Sequence, residues 1–94
     1  GLTWSSAQNL NSQNLTNVNI DSGTVDAITS LTVGTDGSGS DVYFYSATSG
    51  DHLFWDASEE KLTITGTNGQ TALDVADGNL VVADNIDLEG DIDE

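Results

Sequence analysis

Hydrophobic side chains are concentrated in the middle of the chain and are sparse on either side of it. Three short runs rich in aromatic and β-branched residues are separated by the turn-like sequences TSGD and SEE; they are VYFYSA (42–47), HLFWDA (52–57) and KLTITG (61–66). Such runs, bounded by such gaps, predict β-strands joined by hairpins. TALDVA (71–76) and LVVA (80–83) extend the pattern, which predicts a meander of about five antiparallel strands over residues 42–83.

Alternation within these runs divides their side chains between two faces. Val42 and Phe44 share one face, whereas Tyr43 and Tyr45 share the other, and the second run is divided in the same way. Aromatic residues on both faces indicate a sheet that is covered on both sides or built into an oligomer. The residues predicted to form the core and the assembly contacts are Val42, Phe44, Leu53, Trp55, Leu62 and Ile64. An alternative use of Tyr43, Tyr45, Phe54 and Trp55 is a platform on which sugars stack.

Residues 1–34 are rich in Asn, Ser, Thr and Gln, with isolated apolar residues among them. Pairs such as Asn9-Leu10 and Asn14-Leu15 recur in steps of five, which suggests a pentapeptide-repeat coil, but the repeat stops after about one coil. We favour an extended arm with short strands at 17–20 and 30–33. The predicted docking contacts of this arm on another chain are Leu10, Leu15, Val18 and Ile20. Residues 35–41, rich in Gly, Ser and Asp, are interpreted as a joint between the arm and the core.

The final stretch, residues 84–94, alternates with a period of two. Ile86, Leu88 and Ile92 fall on one face and acidic side chains on the other, which predicts a strand. The acidic row consists of Asp87, Glu89, Asp91 and Asp93. If three chains met at an axis, these carboxylates could hold a divalent cation, but a charged face that deters edge-to-edge aggregation is the simpler interpretation. No other cofactor is predicted.

The charge of the chain excludes several classes of function. Sixteen acidic residues against Lys61 and no Arg give a formal charge of −15, which repels nucleic acids and anionic lipid headgroups. No apolar run approaches the roughly 18 residues of a membrane span. His52 is the only imidazole, and no nucleophile or phosphate-binding motif accompanies it, so the sequence predicts a protein that is not an enzyme.

The size of the chain points to a partner. Only 23 of the 94 residues are Leu, Ile, Val or Phe, and a chain of this length buries only roughly 60–65% of its unfolded surface. A monomer is therefore marginally stable, and a second chain would supply the missing core.

The central stretch resembles a module found in virion structural proteins of tailed viruses, especially marine phages. The resemblance rests on four short motifs: Asp41, Val42, Phe44 and Tyr45; Thr48, Ser49 and Gly50; Trp55, Asp56 and Ser58; Leu62, Ile64 and Gly66. Residues 10–28 are similar to the shaft segments of phage tail-fibre proteins. The resemblance implies a β-rich homotrimer at the extracellular surface of a virion, attached to a capsid or fibre protein. Because fibres run to several hundred residues, it favours a capsid decoration or a fibre segment.

The sequence therefore predicts a small all-β protein: an antiparallel meander or sandwich with an extended N-terminal arm, intertwined in a homotrimer. The expected function is structural, on a virion. Two alternatives stay open, namely a subunit that exchanges strands in an extracellular filament and a small carbohydrate-binding module.

Overall fold

The computed structural model describes residues 1–93 and divides the chain into two units, Gly1–Leu31 and a second unit that starts at Thr32. Within the described residues there is no helix, and three strands form one antiparallel sheet. The strands are β1 (Val42–Tyr45), β2 (His52–Asp56) and β3 (Lys61–Thr65), in the order β1-β2-β3. The prediction of a small all-β protein with an antiparallel meander is confirmed for these three strands.

The hairpin between β1 and β2 is closed by residues that favour turns. The Ser46 amide donates to the carbonyl of Asp51 at 3.1 Å, and the Asp51 amide donates to the carbonyl of Thr48 at 3.1 Å. The Ser46 hydroxyl oxygen accepts the Thr48 amide at 2.8 Å, a local bond typical of serine in turns. Gly50 has a φ of 90°, a conformation that costs glycine nothing.

The turn between β2 and β3 is organised by one carboxylate. Asp56 Oδ1 accepts the Ser58 amide at 3.1 Å, the Ser58 hydroxyl at 2.7 Å and the Glu59 amide at 3.3 Å. These bonds lower the pKa of Asp56, the Ser58 hydroxyl contributing most, because each of them favours the charged carboxylate; partial desolvation opposes them, and Lys61 adds a small attraction.

Residues 35–41, predicted to be a joint, contain an ordered turn. Thr35 and Ser38 exchange two backbone hydrogen bonds of 3.2 and 2.8 Å. Asp41 Oδ1 accepts the Ala57 amide at 2.9 Å, which ties this segment to the β2–β3 turn. Gly34, with a φ of 81°, allows the close approach, since a Cβ there would lie 2.8 Å from the backbone nitrogen of Ser40.

The strands predicted at 71–76 and 80–83 as part of the meander are wrong, whereas those at 17–20, 30–33 and 84–94 are predicted to need a second chain and stay predictions. Residues 17–20, 30–33, 71–76, 80–83 and the described part of 84–94, up to residue 93, are not strands, and Glu94 lies outside the described residues. A strand exists only where a neighbouring strand accepts its backbone hydrogen bonds. Alternation alone supplies a suitable side-chain pattern but no such neighbour.

Candidate functional site

The register of the sheet gathers the six predicted core residues on one face, called here the apolar face. Trp55 lies opposite Val42 on one side and Leu62 on the other, and Leu53 lies opposite Phe44 and Ile64 in the same way. Directly opposed residues of an antiparallel pair point to the same side of the sheet. The apolar face therefore consists of two cross-strand rows of three hydrophobic side chains.

The described chain covers the apolar face only in part: residues 70–73 line a depression together with Phe44, Leu53 and Ile64, and residues 35–37 and 39 line another beside Trp55. No residue among 1–93 is buried, and Phe44, Leu62 and Trp55 are 62%, 53% and 40% exposed. Val42, Leu53 and Ile64 are half-buried. The assignment of these residues to a core stays a prediction, because the single chain supplies only one side of it.

The charges in the strands lie on the opposite side of the sheet. Asp56 and Lys61 face each other at the end of the β2–β3 pair, and alternation places both on the side of Phe54 and Thr63. All six positions of the apolar face are uncharged. In a chain with a formal charge of −15, the carboxylates nearest this face lie at its two ends, where Asp51 lines the depression at Phe44 and Asp36 and Glu60 line the one at Trp55.

The opposite side of the sheet carries four rings, called here the aromatic face: Tyr43, Tyr45, His52 and Phe54. Tyr43 stacks on Phe54 with ring centroids 4.0 Å apart and an interplanar angle of 5°. It also stacks on Tyr45, at 5.2 Å and 6°. The His52 ring meets the other three edge-on, with centroids 5.7 to 6.3 Å away. Stacked and edge-to-face pairs of this kind stabilise the cross-strand pairing.

This stacking bears on the two kinds of chemistry that the rings could support. The four rings predicted as a sugar platform do not share one face, because Trp55 lies on the apolar face; of the other three, Tyr43 is stacked on Phe54 and on Tyr45. The His52 imidazole lies among aromatic rings. Within residues 1–93, no hydrogen bond joins it to a hydroxyl or carboxylate side chain. The pKa of Tyr43 is raised, chiefly because its neighbours exclude water and then because Tyr45, Asp41 and Asp56 disfavour a phenolate. The arrangement suits a structural role.

Two shallow depressions lie at the ends of the sheet. The larger, of about 410 Å³, is lined by Phe44, Leu53 and Ile64 of the apolar face and by residues 70–73, and it extends to the β1–β2 hairpin, where the Thr67 hydroxyl donates to Asp51 Oδ2 at 2.8 Å. The smaller, of about 350 Å³, lies at the β2–β3 turn beside Trp55 and Glu60. Both are open to solvent, whereas small-molecule sites typically enclose most of their ligand.

The predicted cation site is not assembled within the single chain. Among residues 1–93 no group of three or more His, Asp or Glu side chains is placed to hold a metal ion. Asp87, Glu89, Asp91 and Asp93 follow one another along a segment that is not a strand. A ring of carboxylates contributed by three chains stays a prediction.

The predicted docking residues of the first unit are all exposed. Leu10, Leu15, Val18 and Ile20 are 44 to 64% exposed.

Sequence reasoning missed the bond from Ala57 to Asp41, because it joins residues 16 positions apart. It also missed the backbone bends of the first unit, although the step of five in the sequence was a signal for them.

Comparison of the chain with family models, curated proteins and solved structures found no match. Among residues 1–93 the structure contains no helix with the length and hydropathy that crossing a bilayer requires.

Proposed function

We propose that this protein is a non-enzymatic structural component of a virion, either a capsid decoration or a segment of a fibre, and that it works as a β-rich homotrimer. The observation that carries the proposal is that the six side chains of the apolar face are uncharged and that none of them is buried, on a strongly acidic chain. Around a threefold axis, three such faces would meet and form the core that one chain lacks. The virion assignment is supported by the resemblance of residues 39–66 to virion modules.

Burial of the apolar face would offset the repulsion among three acidic chains. Each chain contributes two rows of side chains, and every Å² of apolar surface removed from water stabilises by about 25 cal/mol. Acidic side chains then lie at the periphery, where salt screens them within about 8 Å at physiological ionic strength. The partners of each chain are further copies of itself and a capsid or fibre protein. The trimer would lie at the extracellular surface of the virion.

The absolute mass of the purified chain, measured by light scattering after size exclusion at low and high salt, tests this proposal. A mass near three times 9.8 kDa at both salt concentrations is expected. A stable, folded monomer at all concentrations would contradict it. If the trimer forms, imaging of the protein on a particle then tests the virion assignment.

An extracellular filament is the second candidate, and the open edges of the sheet favour it. In the described chain β1 and β3 each pair only with β2, so both have free backbone groups on one side. A strand from another copy, such as the alternating segment at 84–94, could pair there. Deletion of residues 84–94 would abolish growth of a filament but leave a closed trimer assembled, and masses that grow with salt would favour the filament.

A further inference from the structure

The turn that follows β3 contains the only Asn-Gly pair of the sequence, Asn68-Gly69. The Gln70 amide donates to the carbonyl of Thr67 at 3.0 Å, which closes a turn with Asn68 and Gly69 at its two central positions. Gly69 has a φ of 86° and Asn68 has no positive φ, which is the pattern of a type II turn. Both residues are exposed, so the turn presents a carboxamide directly before a residue that has no side chain.

An asparagine followed by glycine is able to lose its side-chain amide without an enzyme. The backbone nitrogen of the glycine attacks Cγ of the asparagine and forms a bond to it, and the side-chain nitrogen leaves as ammonia with the proton of the glycine amide. Water then opens the resulting cyclic imide. Opening at Cγ gives aspartate, whereas opening at the main-chain carbonyl carbon gives isoaspartate, in which the main chain runs through Cγ. The only co-reactant is water.

The described chain leaves the backbone nitrogen of Gly69 free to react. No backbone acceptor among residues 1–93 binds the Gly69 amide, and a Cβ added to Gly69 would meet nothing within 4 Å. Glycine also reaches many backbone conformations at little steric cost, which allows its nitrogen to approach Cγ of the preceding residue.

Two other sites show which features set Asn68 apart. Asn79 is an exposed asparagine, but it is followed by Leu80, whose side chain hinders the attack of its nitrogen. Asp36 precedes Gly37, which has a φ of 82° and equally open surroundings, but an ionised carboxylate is a poor electrophile. Asn68 combines the reactive amide with the unhindered neighbour.

The same turn positions the residues that follow it. A Cβ added to Gly66, before the turn, would lie 3.0 Å from Cβ of Ala72, after it, so the two flanks of the turn are in contact. Residues 70–73 line a depression together with three side chains of the apolar face. Isoaspartate lengthens the main chain of the turn by one carbon atom. The bond that closes the turn and the contact between its flanks do not accommodate this extra length.

We propose that Asn68 is a site of spontaneous deamidation and that its isoaspartyl product moves residues 70–73 away from the apolar face. The reaction also replaces a neutral amide by a carboxylate next to Thr67, whose hydroxyl already donates to Asp51 at 2.8 Å. The exposed part of the apolar face therefore increases as the protein ages. The reaction needs no second copy of the chain.

Incubation of the full chain in mildly alkaline buffer, followed by peptide mass spectrometry with electron-based fragmentation, measures the conversion at each site. We expect Asn68 to be lost to a mixture of aspartate and isoaspartate while Asn79 and Asp36 stay unchanged. Asn68→Gln is the matched control, because its longer side chain disfavours the cyclic imide, and it should show no conversion at this position. An intact Asn68, or loss of the Asn79 amide at the same rate, would overturn the site.

Contact between the flanks of the turn is the second readout. In the parent we expect a nuclear Overhauser effect between the Ala72 methyl group and the α-protons of Gly66, since the two residues lie close together. Asn68→Asp adds the charge without the extra carbon and should keep this signal, whereas the purified isoaspartyl protein should lose it. Retention of the signal by the isoaspartyl protein, or its absence from the parent, would overturn the displacement of residues 70–73. Loss of the signal in Asn68→Asp as well would overturn the role of the extra carbon.

Discussion

Replacement of Phe44 by alanine is the sharpest test of the apolar face, because the residue lies in that face yet is 62% exposed in the single chain. A phenylalanine side chain offers about 200 Å² of surface, so about 120 Å² of it awaits a partner. At about 25 cal/mol per Å² this area is worth about 3 kcal/mol per chain when another copy covers it. Alanine retains part of the contact, so we expect a loss of about 2–3 kcal/mol per chain.

The assay is the concentration at which half of the trimer has dissociated, measured by sedimentation equilibrium over a dilution series. Three chains lose the contact together, and the midpoint depends on the square root of the trimer dissociation constant. The midpoint should therefore rise about a hundredfold to a thousandfold.

Tyr45→Ala is the matched control. Tyr45 is the next residue on the same strand, is 76% exposed and lies on the aromatic face. If the apolar face is the interface, the dissociation midpoint of this variant should change by less than about threefold. A larger effect from Tyr45→Ala than from Phe44→Ala would mean that the aromatic face is the inner one, and the argument from charge would be refuted.

Three further predictions concern the sheet and its turns. Trp55→Ala should lower the stability of the assembled protein by about 3–5 kcal/mol, and unchanged melting would remove Trp55 from the core. Ser58→Ala removes the largest cause of the low pKa of Asp56, so that pKa should rise in an NMR titration of the carboxyl carbon. Because the folded pKa of Asp56 is depressed, the stabilisation that its charged carboxylate gives the turn is complete above the ordinary pKa of an aspartate. This stabilisation is lost as the pH falls through the folded pKa. Since that pKa is higher in Ser58→Ala, the variant should lose the stabilisation at a higher pH. Gly34→Ala should lower the melting temperature more than Gly37→Ala. The two glycines have φ values of 81 and 82°, but only at Gly34 does a new Cβ meet backbone atoms. Equal losses would show that the backbone near Gly34 moves away from the new Cβ without loss of stability.

Local chemistry made the central hairpins predictable from sequence. The runs at 42–47, 52–57 and 61–66 combine β-favouring residues with turn sequences at both gaps. The observed strands, Val42–Tyr45, His52–Asp56 and Lys61–Thr65, are shorter by one or two residues at their C-terminal ends. Side chains of the turn residues take over at those ends, since Ser46 and Asp56 bond to amides within three positions of themselves.

The candidate interface was partly predictable for a related reason. Alternation assigns Phe44 and Trp55 to one face and Tyr43 and Phe54 to the other from sequence alone. Which residues of one face are neighbours depends on the register of the strands, which pairs Val42 with Trp55 and Tyr43 with Phe54. The parallel stacking of Tyr43 on Phe54, which disfavours a sugar platform, follows from that register and from the rotamers of the two rings.

The sequence by itself determined that the chain is acidic, that its centre forms β-hairpins and that these hairpins have an uncharged apolar side. The charge follows from the composition of the whole chain, and the other two properties follow from residue types and spacings within short runs. Only the tertiary structure decided that the alternating segments after residue 70 are not strands in the single chain, and that the first unit follows a step of five through left-handed bends. The physical reason is that a strand requires a neighbour for its backbone hydrogen bonds, and a repeat of side chains does not specify whether that neighbour lies in the same chain.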